Sequence, residues 1–105
     1  MKATHEVIFR TRDLGAVKKF YCGLLGLPIS IDRKGMVGFE AGALNLYFEE
    51  GEPNGAVLEF TVDNVERAKV DLTAAGCELV EEDPSIPRVY LRDPFGVLFN
   101  ITDSQ

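Results

Sequence analysis

The chain is 105 residues long, 46% hydrophobic and 27% charged, with a formal net charge of −6. That length fits one domain around a single core, and the acidity works against nucleic-acid binding through phosphate repulsion while mildly favouring neutral or cationic ligands. No apolar run is long enough to span a bilayer, and the N-terminal MKATHEVIF leads directly into a strand-like pattern rather than a signal peptide. A cytoplasmic protein without membrane or nucleic-acid partners is expected. In that setting Cys22 and Cys77 are free thiols rather than a disulfide, and they are too few for a zinc motif built from cysteine pairs.

In chain order, His5–Thr11 alternates and carries Val, Ile and Phe, which predicts a strand. Asp13 is placed to cap a helix whose apolar stripe is Leu14, Val17, Tyr21, Leu24 and Leu25; Gly26 and Pro28 end it. Short strands follow at Pro28–Asp32, Met36–Ala41 and Ala43–Glu49, with turn signals at 33–35 and Gly42. Residues 50–55 form a polar linker containing Gly and Pro. Ala56–Val62 reads as the next strand. Asp63 with Glu66 fits a capping box for a second helix, whose stripe is Val65, Ala68, Leu72 and Ala75, leaving Val70 off the stripe. Strands at Cys77–Glu81, Pro87–Arg92 and Val97–Thr102 complete the chain, the last two joined by the turn Asp93-Pro94-Phe95-Gly96.

This order is a repeat. Residues 6–24 and 57–75 match in residue type at a constant offset of 51: Val7 with Leu58, Phe9 with Phe60, Asp13 with Asn64, Leu14 with Val65, Tyr21 with Leu72. The chain is β-α-β-β-β, a linker, then β-α-β-β-β. Units of about 50 residues rarely bury a full core alone, so the two are expected to close on each other as one domain over 1–105, with module one at 1–50 and module two at 56–105. Equivalent positions would then face a common cavity.

Three stretches in this order, THEVIFRTRDLGAVKKFYCGLLGLPI, VLEFTVDNVERA and YLRDPFGVLFNITD, resemble the vicinal oxygen chelate superfamily of glyoxalases, bleomycin-resistance proteins and extradiol dioxygenases. The resemblance implies an α+β fold of two tandem βαβββ modules. Their curved, mixed, mostly antiparallel sheet would surround a cavity, with the helices on the outer face. It also implies four metal-ligand positions, usually His or Glu, on the first and last strands of each module. Counting from Asp13 gives Glu6; the offset of 51 gives Val57; counting from Gly96 gives Asn100; pairing Gly42 with Gly96 gives Leu46. One of these is a strong ligand, one a weak oxygen donor and two are hydrocarbons, whereas stable divalent sites take three or four N, O or S donors. The single histidine, His5, is one residue out of register, which on a strand means the opposite face. The expectation is a protein with no metal and no cofactor.

By alternation the ligand-binding face comprises Glu6, Ile8, Arg10, Leu46, Phe48, Val57, Glu59 and Asn100, with Thr61, Leu98 and Thr102 beside them. Apolar walls with a few polar groups suit a small organic molecule. Glu6 either acts as a base or cation anchor, or pairs with Arg10 on the same face; Arg88 and Tyr90 either line the mouth or form a solvated strand face. No nucleophile motif, phosphate loop or dinucleotide fingerprint is present. The leading expectation is a metal-independent small-molecule-binding protein, associated as a homodimer because open sheet edges invite pairing. The alternatives are a metal-dependent lyase, isomerase or dioxygenase, a metal-free enzyme using Glu6, and an assembly module without an active cavity.

Overall fold

The computed structural model describes residues 1–104. They form two compact units, one of His5–Ala56 and one of Met1–Thr4 together with the chain from Val57 onward. The first strand, β1 (Lys2–Thr11), is thus divided between them, its first three residues counting with the second half of the sequence.

In the first unit β1 is followed by α1 (Leu14–Lys18), a π-helical segment (Lys19–Leu24), β2 (Ile29–Arg33), β3 (Met36–Glu40) and β4 (Asn45–Glu50). The strand order is β2-β3-β4-β1, antiparallel except for β1 against β4. The second unit repeats this with β5 (Val57–Val62), α2 (Val65–Ala74), β6 (Glu78–Asp83), β7 (Arg88–Arg92) and β8 (Leu98–Asp103), ordered β5-β8-β7-β6, with only β5 and β8 parallel. These are the two βαβββ modules expected from the sequence. No helix is long and apolar enough to cross a membrane among the described residues.

The offset of 51 holds through both helices. Asp13 Oδ1 accepts from Ala16 N–H at 2.9 Å, and Asn64 Oδ1 accepts from Arg67 N–H at 2.9 Å, so each satisfies an otherwise orphaned helix donor. The second cap is therefore Asn64, the repeat partner of Asp13, and not Asp63. Glu66 instead pairs with Lys69, one turn on. Leu14, Val17 and Tyr21 pack on Val37, Phe39 and Phe48. Val65, Ala68 and Leu72, their partners by the same offset, pack on a core of Val62, Val89, Leu91, Phe99 and Ile101. Val70 is exposed, as its place off the stripe requires.

Three stripe assignments fail. Leu24 is 72% exposed and Leu25 is 51% exposed. The cause is the π-helical segment, where Leu25 N–H reaches back five residues to Phe20 carbonyl at 3.0 Å. The wider turn rotates the later residues off the buried face, and Cys22 and Leu27 pack on the core in their place. Ala75 is likewise exposed, because it forms the C-terminal cap of α2. Both cysteines are free thiols.

β2 and β6, the outermost strands, each carry a register shift at equivalent places, between Ile29 and Ile31 and between Leu79 and Glu81. Such bulges twist an edge away from regular pairing.

Candidate functional site

Each sheet has one face covered by its helix and one turned away from it. In the first unit Val7 and Phe9 lie on the helix side, so Glu6, Ile8 and Arg10 point the other way. Their register partners on β4 are Asn45, Tyr47 and Glu49. Leu46 and Phe48 pair instead with Val7 and Phe9, and both belong to the core beneath α1. The expectation that Leu46 and Phe48 line a ligand face is corrected. Phe48 stacks on Phe9, with ring centroids 4.9 Å apart, and on Tyr21 at 5.0 Å.

The reason is one residue in a turn. In the first unit the hairpin before β4 closes with Ala41 N–H donating to Leu44 carbonyl; in the second the equivalent bond runs from Asp93 N–H to Val97 carbonyl. The second turn is longer by one, so matching Gly42 to Gly96 slips the register and turns every side chain of β4 over. The true counterpart of Asn100 is Tyr47: Tyr47 stands between Gly38 and Ile8, as Asn100 stands between Tyr90 and Glu59. A Cβ on Gly38 would lie 2.9 Å from Tyr47 Cδ1, so the absence of a side chain there gives the tyrosine ring its room. In the second unit the large ring sits on the other strand, at Tyr90, opposite the smaller Asn100.

Glu6 is half-buried, and Asn45 Nδ2 donates to its Oε1 at 3.3 Å. Asn45 was not anticipated, because the slipped register put it on the wrong face. His5 is exposed and shares the parity of Val7, opposite to Glu6.

In the second unit Val57, Glu59 and Asn100 come together on the face turned away from α2, with Thr61 and Thr102 one step further along. Asn100 is 3% exposed, and both its amide oxygen and its amide nitrogen are hydrogen-bonded. Its Oδ1 accepts from Val89 N–H at 2.8 Å; its Nδ2 donates to Pro87 carbonyl at 3.3 Å and to Glu59 Oε2 at 3.2 Å. The ladder between β7 and β8 ends at Tyr90 with Asn100. Beyond that point the side-chain amide takes the place of ladder bonds, accepting from the Val89 N–H of β7 and donating to the Pro87 carbonyl just before it. Glu59 Oε1 accepts from Thr4 Oγ1 at 3.2 Å, a contact that the sequence reading missed because Thr4 precedes the expected strand. Tyr90 is 1% exposed and so packs into this face rather than lining a mouth. The Arg88 guanidinium lies 4.9 Å from its ring centroid and 3.4 Å from Glu81.

A cavity of about 360 Å³ opens elsewhere, on the helix side of the second unit. It lies between the start of α2 and the turn joining β6 to β7, lined by Val65, Ile86 and Ile101 with Glu66, Glu82 and Asp83. Of the residues expected on the ligand face or at its mouth, only Thr102 and Arg88 border it. Lys69 already pairs with both Glu66 and Glu82.

The sequence matches the Glyoxalase-like domain family over residues 6–102, and the chain belongs to that family. No curated protein matches it significantly. Among solved structures it is similar to a glyoxalase/bleomycin resistance protein/dioxygenase superfamily member from Vibrio splendidus, at 16% identity and a TM-score of 0.69, covering 93% of this chain and 96% of that one. It is similar to a Mn(II)-bound glyoxalase from Novosphingobium aromaticivorans at 21% identity and 0.66, covering 97% of this chain and 38% of that one. An extradiol ring-cleaving dioxygenase from B. fuscum gives 19% identity and 0.66, with all of this chain matched to 33% of that one. At such identities the likeness is one of fold.

The residues present do not fit the metal that the superfamily's enzymes hold. With the register corrected, the four positions that the resemblance implies are Glu6 and Tyr47 in one unit and Val57 and Asn100 in the other. Val57 offers only hydrocarbon, and Asn100 offers only a neutral amide oxygen that already accepts from Val89 N–H. Among the described residues no group of three or more His, Cys, Asp and Glu side chains is placed to hold a metal ion.

Proposed function

We propose that the protein is a metal-independent, small-molecule-binding member of the glyoxalase-like family, cytoplasmic and homodimeric, that holds a cationic or aromatic compound by shape and a few polar contacts. The observation that carries this reading is the engagement of Asn100. At the position where a metal enzyme of the superfamily presents its closing ligand, this chain spends the side chain on its own backbone. Among the polar groups on the faces turned away from the helices, Glu6 and Glu59 are half-buried carboxylates, and apolar side chains such as Ile8 and Val57 share those faces, which suits an organic-ligand surface. Support for a dimer comes from exposed Phe20 and Leu24 on the π-helical segment and Leu25 at its C-terminal cap. Sedimentation velocity at micromolar concentration distinguishes one copy from two.

Two measurements test the binding reading. Elemental analysis of protein purified without chelators or a metal-bearing tag is expected to find no stoichiometric transition metal; about one zinc, nickel, manganese or iron per chain overturns metal independence. A thermal-shift screen of organic cations and aromatics is expected to yield stabilising compounds, since a ligand at 100 times its dissociation constant adds about 2.7 kcal/mol.

A further inference from the structure

The carboxylates that the two units show in ion pairs mostly stand at their surfaces: Glu52 with Arg12, Asp32 with Lys18, Glu82 with Lys69, Glu78 with Arg92. Glu59 differs. It is half-buried on β5, and its hydrogen-bond partners are both neutral, the Thr4 hydroxyl on Oε1 and the Asn100 amide on Oε2. Among the described residues no Lys, Arg or His pairs with it. Removing a carboxylate from water without a cation is costly, and two neutral hydrogen bonds offset only part of that cost. The same two bonds fix the carboxylate's orientation. Each oxygen accepts one of them and has a second lone pair. Val57 and Leu98 lie two residues along on the same face and supply hydrocarbon next to the charge.

We infer that Glu59 is the specificity-determining residue of this protein, receiving the cationic, multiply N–H-donating end of a small organic ligand: an ammonium, amidinium or guanidinium carried on an apolar body. An oriented carboxylate whose two oxygens each retain a lone pair is chemically matched to a planar fork of N–H donors, which binds carboxylates bidentately. A carboxylate or phosphate ligand is repelled by the same group. The inference rests on the small-molecule reading above, to which it adds the anchor and the charge of what is bound.

The experiment is a titration of the ¹⁵N-labelled protein with benzamidine and with benzoate, which share a ring and differ in charge. In the wild type, benzamidine is expected to shift the amides of Thr4, Glu59 and Asn100, and benzoate to leave them in place. Glu59→Gln keeps the shape and removes the charge. It is expected to weaken benzamidine at least tenfold while the melting temperature stays level or rises, since an uncompensated charge has gone. A residue retained for packing alone would lower the melting temperature and leave the preference between the two probes unchanged. Equal benzamidine affinity in Glu59→Gln, or a preference for benzoate, overturns the assignment. So does a compound from the thermal-shift screen whose binding Glu59→Gln leaves intact, in which case the small-molecule reading survives alone. If no organic compound binds the wild type, that reading falls and takes the inference with it.

Discussion

Replacing Asn100 by Ala removes a bracket from the backbone of β7. The side chain is 3% exposed and makes three bonds, but they are not equally costly to lose. Pro87 is exposed and Glu59 half-exposed, so water can replace Asn100 at both. Val89 is buried, and its N–H would be left without an acceptor, at about 1–3 kcal/mol. The void left by the amide adds about 1 kcal/mol. The sum, about 2–4 kcal/mol, is a large share of the 5–15 kcal/mol typical of a domain and corresponds to a drop in melting temperature of roughly 10–25 °C. Urea denaturation measures the energy. Hydrogen exchange at the Val89 amide localises it, with faster exchange expected there than at Leu91, whose pairing with Phe99 is untouched. Asn100→Asp retains an acceptor for Val89 and should preserve more of that protection. A loss below about 0.5 kcal/mol with unchanged Val89 exchange would refute the reasoning, and with it the view that this position has ceased to be a ligand.

Other consequences are open to the same methods. Gly38→Ala would place a Cβ 2.9 Å from Tyr47 Cδ1 and 3.1 Å from Ser30 Oγ, and is expected to cost about 1–3 kcal/mol by overpacking; adding Tyr47→Ala should recover part of it in a double-mutant cycle. Leu72→Ala, in the core under α2, is expected to cost about 2–4 kcal/mol by denaturation, whereas Val70→Ala, on the exposed side of the same helix, should change stability by less than about 0.5 kcal/mol. Hydrogen bonds from Arg12 hold the Glu52 carboxyl below its ordinary value, and hydrogen bonds from the Ser85 hydroxyl and N–H do the same for Asp83. For both groups the unfolded chain binds protons first, so their contribution is present above the ordinary carboxylate range and is lost as pH falls through the lower folded values. Melting temperature should therefore decline on acidification below about pH 4.5, less steeply in Arg12→Ala and in Ser85→Ala, and both effects should be small because the groups are exposed.

The fold was legible because the repeat is carried by residues whose physics is local. Asp13 and Asn64 cap, and Leu14 with Val65 and Tyr21 with Leu72 fall on helical stripes, so a constant offset of 51 transfers one half onto the other up to the end of α2. Past the helices the offset drifts, because the turns differ in length. Nothing in the residues of 41–44 states that their turn is one shorter than 93–97, and that single residue put Leu46 and Phe48 on the wrong face. The π-helical segment was equally hidden, since Leu24 and Leu25 suit an α-helical stripe as well as they suit solvent at the end of a wider turn. Asn100 was located correctly but read as a group for the ligand. Its partners are backbone atoms of Pro87 and Val89, and backbone partners leave no trace in side-chain patterns.

The division of β1 has a consequence for taking the chain apart. The sequence invites a cut in the polar linker near residue 55, which would yield two tidy repeats. The packing boundary runs elsewhere as well, between Thr4 and His5. A fragment beginning at Val57 would lack the Thr4 hydroxyl that meets Glu59 and the Lys2 carbonyl that meets Thr61. The first four residues are thus a short arm lent by one repeat to the other, and the two halves are interlaced rather than merely concatenated. An ancestral single module, or an engineered one, would have to recover that arm from a second copy of itself.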